Sequence, residues 1–307
     1  MRKNNRRALV ILLIITTACA AAVNVAKQRQ PNAARYMLSR NGTSELLDTE
    51  QRDSLSVVSV SNSLPRSFRN TQPNLLTDDS LLTPIFDTLS IVGRQLRILH
   101  IGDSHVTSGD FTTALRQTLQ QAWGDRVVVS YLGKNGATAE QFSTPDWMEK
   151  IKAQCPDLII ASFGTNECHG LGYIAEQHHQ QLQHFLQTLT AACPDAIILL
   201  TTPPGDYLAT GRGRRRRPSR PNPMVARCAA EISRFGHANH LAVWDLHTIA
   251  GGSSALTNYI NAGLMQRDRI HFTAPGYTVM GHCLGEAILT AYNDYVKAHL
   301  PAEAIEQ

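Results

Sequence analysis

Five short apolar runs, spaced almost evenly along the chain, constrain its fold more than any other feature. They do not alternate regularly between apolar and polar residues, which is typical of strands buried on both faces of a parallel sheet. Longer segments with helical spacing of their apolar residues separate them. The runs cover 98–101, 127–131, 158–161, 197–200 and 241–244, and the helical segments cover 110–122, 139–153, 173–192, 222–239 and 275–298.

Strands that alternate with helices join by right-handed crossovers, which place a layer of helices on each face of the sheet. A local repeat supports this reading, because Cys-Pro-Asp at 155–157 and again at 193–195 ends a helical segment and enters an apolar run. We therefore predict an α/β domain over residues 79–300, with three α/β/α layers and a five-stranded parallel sheet.

The first 27 residues have the pattern of a signal peptide or an N-terminal membrane anchor. Four basic residues within 2–7 precede an uncharged run from 8 to 26, which is about long enough to cross a bilayer. Cleavage in the Ala-rich region, lipidation of Cys19 and retention in the inner membrane are all compatible with this pattern. Each outcome predicts that the rest of the chain is periplasmic or otherwise extracytoplasmic.

Two further segments stand apart from the predicted domain core. Residues 28–78 are rich in Asn, Ser, Thr, Asp, Gln and Arg, which predicts a flexible linker. The arginine-rich loop 203–223 follows the fourth predicted strand, so it should leave the carboxyl edge of the sheet, where ligands of α/β proteins bind. Its arginines either contact an anionic glycan, phospholipid or lipopolysaccharide, or form a solvated, mobile basic loop.

The charge and the cysteine spacing argue against a nucleic-acid partner and against a zinc site. The formal net charge is +4 and is concentrated in the arginine clusters, so we expect no nucleic-acid partner. The six cysteines show no CxxC or Cys/His spacing, so we predict no zinc site. Outside the cytoplasm one or two disulfides could form, and buried free thiols are the alternative.

Four short motifs contain residue types that can take part in a reaction, and they lie at or near the ends of the predicted strands. Ser104 follows the first strand in the block IGDSH, and Gly136 lies after the second in GKNGAT. Asn166 follows the third strand in FGTNE, and Asp268 and His271 lie in DRIHF before the last helix. Because the carboxyl ends of parallel strands share one edge of a sheet, we expect these residues to meet.

Each residue type suits one part of acyl-transfer chemistry. A serine at a strand-to-helix turn lies near backbone N–H groups that favour negative charge. A carboxylate three residues before a histidine can bind one ring nitrogen and leave the other to accept the proton of a serine. Glycine lets a bound group approach the backbone, and an asparagine amide can donate into the crevice. Any one motif is commonly a simple turn, whereas the ordered set indicates a catalytic site.

Several neighbouring polar residues are interpreted as structural. Asp103 should tie the turn that precedes the candidate nucleophile. His105, His169 and His247 are interpreted as packed or solvated histidines, since most histidines near a site are not part of its chemistry.

In this order the motifs resemble the signature blocks of the SGNH (GDSL) hydrolase superfamily, over residues 95–290. The resemblance implies a flavodoxin-like fold and maps the four signature residues onto Ser104, Gly136, Asn166 and His271. It implies that Ser104 is the nucleophile, His271 its base and Asp268 the residue that orients the base. Backbone N–H groups of Ser104 and Gly136 and the Asn166 amide would form the oxyanion hole, with no metal or organic cofactor.

The particular residues within these motifs indicate a smaller group inside the superfamily. IGDSH followed by FTTALRQTLQ, together with GTNE, resembles bacterial envelope members related to peptidoglycan O-acetylesterases. Some of these carry an inserted carbohydrate-binding β-domain, for which no segment between the motifs is long enough. The expected function is a serine esterase that removes O-acyl, first of all O-acetyl, groups from peptidoglycan or an acetylated polysaccharide.

Other functions remain as alternatives at this point. A polysaccharide O-acyltransferase would use the same acyl-serine chemistry beside a membrane acyltransferase partner. A lipase or lysophospholipase is less favoured, because the sequence shows no long apolar lid. A catalytically silent glycan-binding protein would not need the complete set of signature residues with Asp268.

Overall fold

The computed structural model describes residues 52–210 and 217–299, and five of its strands form one parallel sheet. The spatial order of that sheet is β2-β1-β3-β4-β7, and β5 and β6 pair separately as an antiparallel hairpin. The predicted fold class is therefore confirmed. The strands are β1 (Leu96–Gly102), β2 (Val127–Gly133), β3 (Leu158–Ser162), β4 (Ile197–Thr201), β5 (Tyr207–Thr210), β6 (Arg217–Pro221) and β7 (Ala242–Trp244).

The helices occupy the segments predicted for them, with one break. The predicted helix 139–153 is divided into two, because Pro145 disfavours a helical conformation at the preceding Thr144 and begins the second helix itself. The helices are α1 (Thr83–Ser90), α2 (Ser104–Thr107), α3 (Asp110–Trp123), α4 (Ala139–Phe142), α5 (Pro145–Lys152), α6 (Thr165–Cys168), α7 (Ala175–Ala192), α8 (Met224–Ala238), α9 (Leu246–Ile249), α10 (Ala255–Asn261) and α11 (Ala274–His299).

Two apolar cores cover the two faces of the sheet, because successive strand residues point to opposite faces. In β1, Ile98 belongs to the core that packs against α3 and α11, and Leu99 to the core that packs against α5, α7 and α8. Both side chains are 1 % exposed. This explains why the strands lack alternation in the sequence.

The register of the sheet makes the carboxyl ends of its strands level. Gly102 at the end of β1 lies opposite Gly133 of β2 and Ser162 of β3, and Thr201 of β4 lies opposite both Ser162 and Trp244 of β7. The loops that follow these strands therefore leave the sheet along one line.

The predicted linker 28–78 is wrong for residues 52–78, which pack along the domain. Val58 exchanges two hydrogen bonds of 2.8 Å with the side chain of Asn293, and Ser63 donates to Glu286. Thr77 pairs with Val243 of the edge strand β7. The segment is extended and makes its contacts through backbone groups and scattered side chains, so its sequence shows no helical or strand period. The predicted segment 1–27 and the linker up to residue 51 lie outside the described residues.

The basic loop 203–223 contains the hairpin β5–β6, while residues 211–216 lie outside the described part.

The cysteines of the described residues are free thiols, and all except Cys155 are buried. They are Cys155, Cys168, Cys193, Cys228 and Cys283.

Across 52–210 and 217–299, no helix combines the length and the apolar character needed to cross a bilayer.

Close packing of α11 against α3 predicts a stability effect at Gly281. A Cβ atom there would lie 2.3 Å from the carbonyl oxygen of Phe111 and 2.6 Å from Cβ of Ala114. Although Gly to Ala in a helix interior normally stabilises, this backbone contact forces the helices apart. We expect Gly281→Ala to lower the free energy of unfolding by about 1–3 kcal/mol in urea titrations.

Gly172→Ala is the matched control, because a Cβ at Gly172 meets nothing within 4 Å. It should leave the midpoint of unfolding nearly unchanged. A Gly281→Ala variant as stable as its Gly172→Ala counterpart would show that the two helices separate at no cost.

Candidate active site

Ser104 lies at the first turn of α2, directly after the end of β1. The side chain of Asp103 caps this helix by accepting a hydrogen bond of 2.9 Å from the backbone N–H of His105. The N–H of Ser104 belongs to the first turn, where the helix offers no carbonyl to accept it. Strand, cap and helix together thus present both the hydroxyl and the N–H of Ser104 at the carboxyl edge.

Asp268 organises the loop that carries His271. Its Oδ1 accepts hydrogen bonds of 3.0 Å from the backbone N–H groups of Ile270 and His271, and its Oδ2 lies 2.7 Å from Nδ1 of His271. Because an ionised carboxylate only accepts, Nδ1 of the ring is the donor. The other ring nitrogen, Nε2, lies 3.0 Å from Oγ of Ser104.

The Asp268 carboxyl has a lowered pKa. Partial burial alone would raise it, but hydrogen bonds from the His271 ring and from the backbone N–H groups of Ile270 and His271 outweigh that effect. Asp268 is therefore ionised at neutral pH, and its negative charge would stabilise a positive charge on the His271 ring.

Gly136 and Asn166 lie on the other side of Ser104. Gly136 has a φ of 72°, which residues with a Cβ rarely adopt, and it lines the cleft. The Asn166 amide donates to the carbonyl of Ala137 at 2.8 Å and to Oδ2 of Asp103 at 3.3 Å. The bond to Asp103 is the longer and weaker of the two, so it is the one that a ligand oxygen would replace.

Glu167 is a functional residue to which sequence reasoning gave no role. Its carboxylate accepts from the backbone N–H of Ala139 at 2.8 Å and from that of Gly164 at 2.9 Å. It therefore ties the loop that carries Gly136 to the turn that carries Asn166. Its place three residues after Gly164 is a capping position, which was the available signal in the sequence.

Two buried groups lie under the candidate nucleophile. Burial lowers the pKa of His105 to about 3, so its ring is neutral, and Nδ1 lies 3.1 Å from the hydroxyl of Tyr277. Burial also raises the pKa of Asp103 to about 7, although the His105 N–H and the nearby His271 oppose this rise. His105 and Asp103 are thus structural supports, as predicted.

An open cleft of about 510 Å³ lies beside Ser104 and His271, and most of the residues that line it carry a polar group. His169 lines it too, with its side chain 29 % exposed. Among residues 52–210 and 217–299, no cluster of His, Cys, Asp or Glu side chains is suited to hold a metal ion. The lining residues are Ser104, Thr107, Ser108, Asn135, Gly136, Thr165, Asn166, His169, Gln266, Ile270, His271 and Tyr277.

Comparisons with known proteins agree with the fold. The model of the GDSL-like lipase/acylhydrolase family matches residues 100–279. A solved structure of a peptidoglycan O-acetylesterase is similar at a TM-score of 0.58 and 18 % identity, over 72 % of this chain and 96 % of that one. A protein from Parabacteroides merdae described as a GDSL-like lipase matches at 0.51 and 17 %, over 64 % and 96 %. No curated protein matches the chain.

Loss of the Glu167 bridge should slow catalysis more than it weakens substrate binding. Glu167→Gln keeps the size of the side chain but leaves one acceptor oxygen for two N–H groups. Because small displacements of catalytic groups are costly, we expect kcat to fall roughly tenfold or more with little change in KM. Glu140→Gln, at a half-exposed carboxylate that contacts His184, is the control and should behave like wild type. Equal kcat for both variants would contradict a positioning role.

The buried Asp103 should make stability pH-dependent. Its pKa is about 7 in the folded protein and about 3.9 in an unfolded chain. Between these values the native state holds a proton that the unfolded state has released, so stability falls as the pH rises.

Asp103→Asn should remove this dependence. Urea titrations from pH 4 to 8 should show wild type losing up to about 4 kcal/mol relative to the variant. Asp125→Asn, at an exposed carboxylate, controls for the loss of a charge. A constant difference across this range would mean that Asp103 does not titrate there.

Proposed function

Because the chain belongs to the GDSL-like lipase/acylhydrolase family and is a hydrolase of ester bonds, we propose that it is a serine esterase that removes O-acetyl groups from a glycan. The observation that carries this proposal is the continuous path of hydrogen bonds from Asp268 through His271 to Ser104. Oδ2 of Asp268 lies 2.7 Å from Nδ1 of His271, and Nε2 of His271 lies 3.0 Å from Oγ of Ser104 at the cleft.

In the proposed mechanism, Oγ of Ser104 attacks the ester carbonyl while Nε2 of His271 accepts its proton. The Asp268 carboxylate stabilises the imidazolium that forms. The backbone N–H groups of Ser104 and Gly136 and the amide of Asn166 donate to the developing oxyanion. His271 then returns the proton to the leaving alcohol, and water releases the acyl group from Ser104.

The residues that line the cleft carry hydroxyl, amide and imidazole groups that are able to hydrogen-bond a hydroxyl-rich alcohol. The similarity to a peptidoglycan O-acetylesterase makes an O-acetyl ester of peptidoglycan or of another acetylated polysaccharide the first choice. The basic and apolar N-terminal run supports a location outside the cytoplasm, membrane-anchored or as a lipoprotein.

O-acyl transfer is the second candidate, since the open cleft would admit a sugar hydroxyl in place of water. A membrane acyltransferase would then be the partner that supplies the acyl group. Hydrolysis and transfer share every residue of the site, so only the products separate them.

Ser104→Ala should lower acetate release from acetylated peptidoglycan and acetylated xylan by at least about a thousandfold, with an unchanged melting temperature. Ser80→Ala, at an exposed serine, is the control and should retain full activity. Free acetate as the product supports the esterase, and acetyl groups recovered on an added oligosaccharide support the transferase. Retained activity in Ser104→Ala would refute both mechanisms.

A further inference from the structure

A second histidine–carboxylate pair presents its histidine to the cleft and has no part in the mechanism above. His169 lies three residues after Asn166 and lines the cleft, and its Nδ1 contacts Oδ2 of Asp206. The side chain of His169 is 29 % exposed, whereas that of Asp206 is fully buried. The pair thus has an accessible ring on a buried carboxylate, which is also the arrangement that orients a working histidine.

Buried hydrogen bonds hold both members of the pair in place. Asn222 donates its backbone N–H to the carbonyl of Asp206 at 2.9 Å and its side-chain amide to the carbonyl of Cys168 at 2.8 Å. One buried asparagine therefore fixes the backbone at Asp206 and the residue that precedes His169. Among the described residues, Oδ1 of Asp206 has no hydrogen-bond partner. A buried carboxylate so incompletely satisfied is costly, which argues against an incidental contact.

The chemistry of the ring defines what it can bind. The Asp206 carboxylate accepts hydrogen bonds, so Nδ1 of His169 donates and Nε2 is left for a ligand. Nε2 accepts a hydrogen bond when the ring is neutral and donates one when the ring is protonated. A hydroxyl group satisfies either state, because it is both a donor and an acceptor.

The position of the pair indicates which part of the ester it meets. Asp206 directly precedes Tyr207, whose N–H donates to the carbonyl of Arg269 at 2.9 Å in the loop that carries His271. His271 returns the proton to the leaving alcohol, so the alcohol departs beside this loop. Because Asp206 adjoins this loop and His169 lines the same cleft, the alcohol side of the scissile bond is the side that we assign to the pair.

We propose that His169, positioned by Asp206, binds a hydroxyl group of the alcohol part of the ester and selects hydroxyl-rich alcohols. This rests on the proposed esterase function and identifies the residue that gives it a preference for sugars. His169 is a substrate-binding residue, and Asp206 is a positioning residue that acts through it.

The test compares two acetyl esters that differ in the alcohol. A mono-O-acetylated methyl glycoside has free hydroxyl groups in its alcohol part, whereas p-nitrophenyl acetate has none. His169→Asn keeps an N–H near the Nδ1 position and removes Nε2. We expect it to lower kcat/KM for the glycoside at least tenfold, mainly through KM, and to leave that for p-nitrophenyl acetate within twofold.

Two further variants complete the comparison. Asp206→Ala should produce the same selective rise in KM for the glycoside, which a merely structural role would not. His184→Asn is the control, because His184 also pairs with a carboxylate, Glu140, but does not line the cleft. It should leave both esters unaffected.

The outcomes separate this inference from the proposed function. If wild type cleaves both esters and His169→Asn lowers both rates equally, or neither, the role of His169 is refuted and the esterase stands. If wild type cleaves p-nitrophenyl acetate but not acetylated glycans, the glycan substrate and the hydroxyl-binding role fail together.

Discussion

The level register of the parallel sheet is the constraint on which the rest of the structure depends. Gly102, Ser162 and Thr201 end their strands side by side. The turns that follow them, which carry Ser104, Asn166 and the base of the hairpin, therefore emerge along one line. A shift of one residue in any strand would reverse its faces and move its turn by about 3.3 Å. The packing of both cores thus fixes the distances within the site.

Carboxylates join the segments that this edge brings together. Asp268 uses one oxygen for the backbone of its own loop and the other for the His271 ring. Glu167 divides its oxygens between two loops, and Asp206 supports His169. Each is an acceptor for donors that would otherwise lack partners at the ends of strands and helices. Glu167 and Asp206 thus join segments that are distant in sequence, whereas Asp268 orders its own loop.

The features that could be predicted from the sequence are those that depend on local residue patterns. The five strands, their order of appearance and the placement of Ser104 and His271 follow from apolar runs and short motifs. The packing of residues 52–78 could not be predicted, because extended segments bind through backbone groups that leave no period. The roles of Glu167 and Asp206 depend on partners 28 and 37 residues away. Such pairings arise only when the fold brings the segments together.

The first described residues contact the domain at the edge of the sheet opposite the cleft. Arg52 pairs with Ile91 shortly before β1 begins, and Asp53 contacts Arg126 just before β2. The chain thus enters the domain at the amino edge of the sheet, and the cleft opens at the opposite edge. Whatever joins the domain at Arg52 therefore meets it at the edge of the sheet remote from Ser104 and His271.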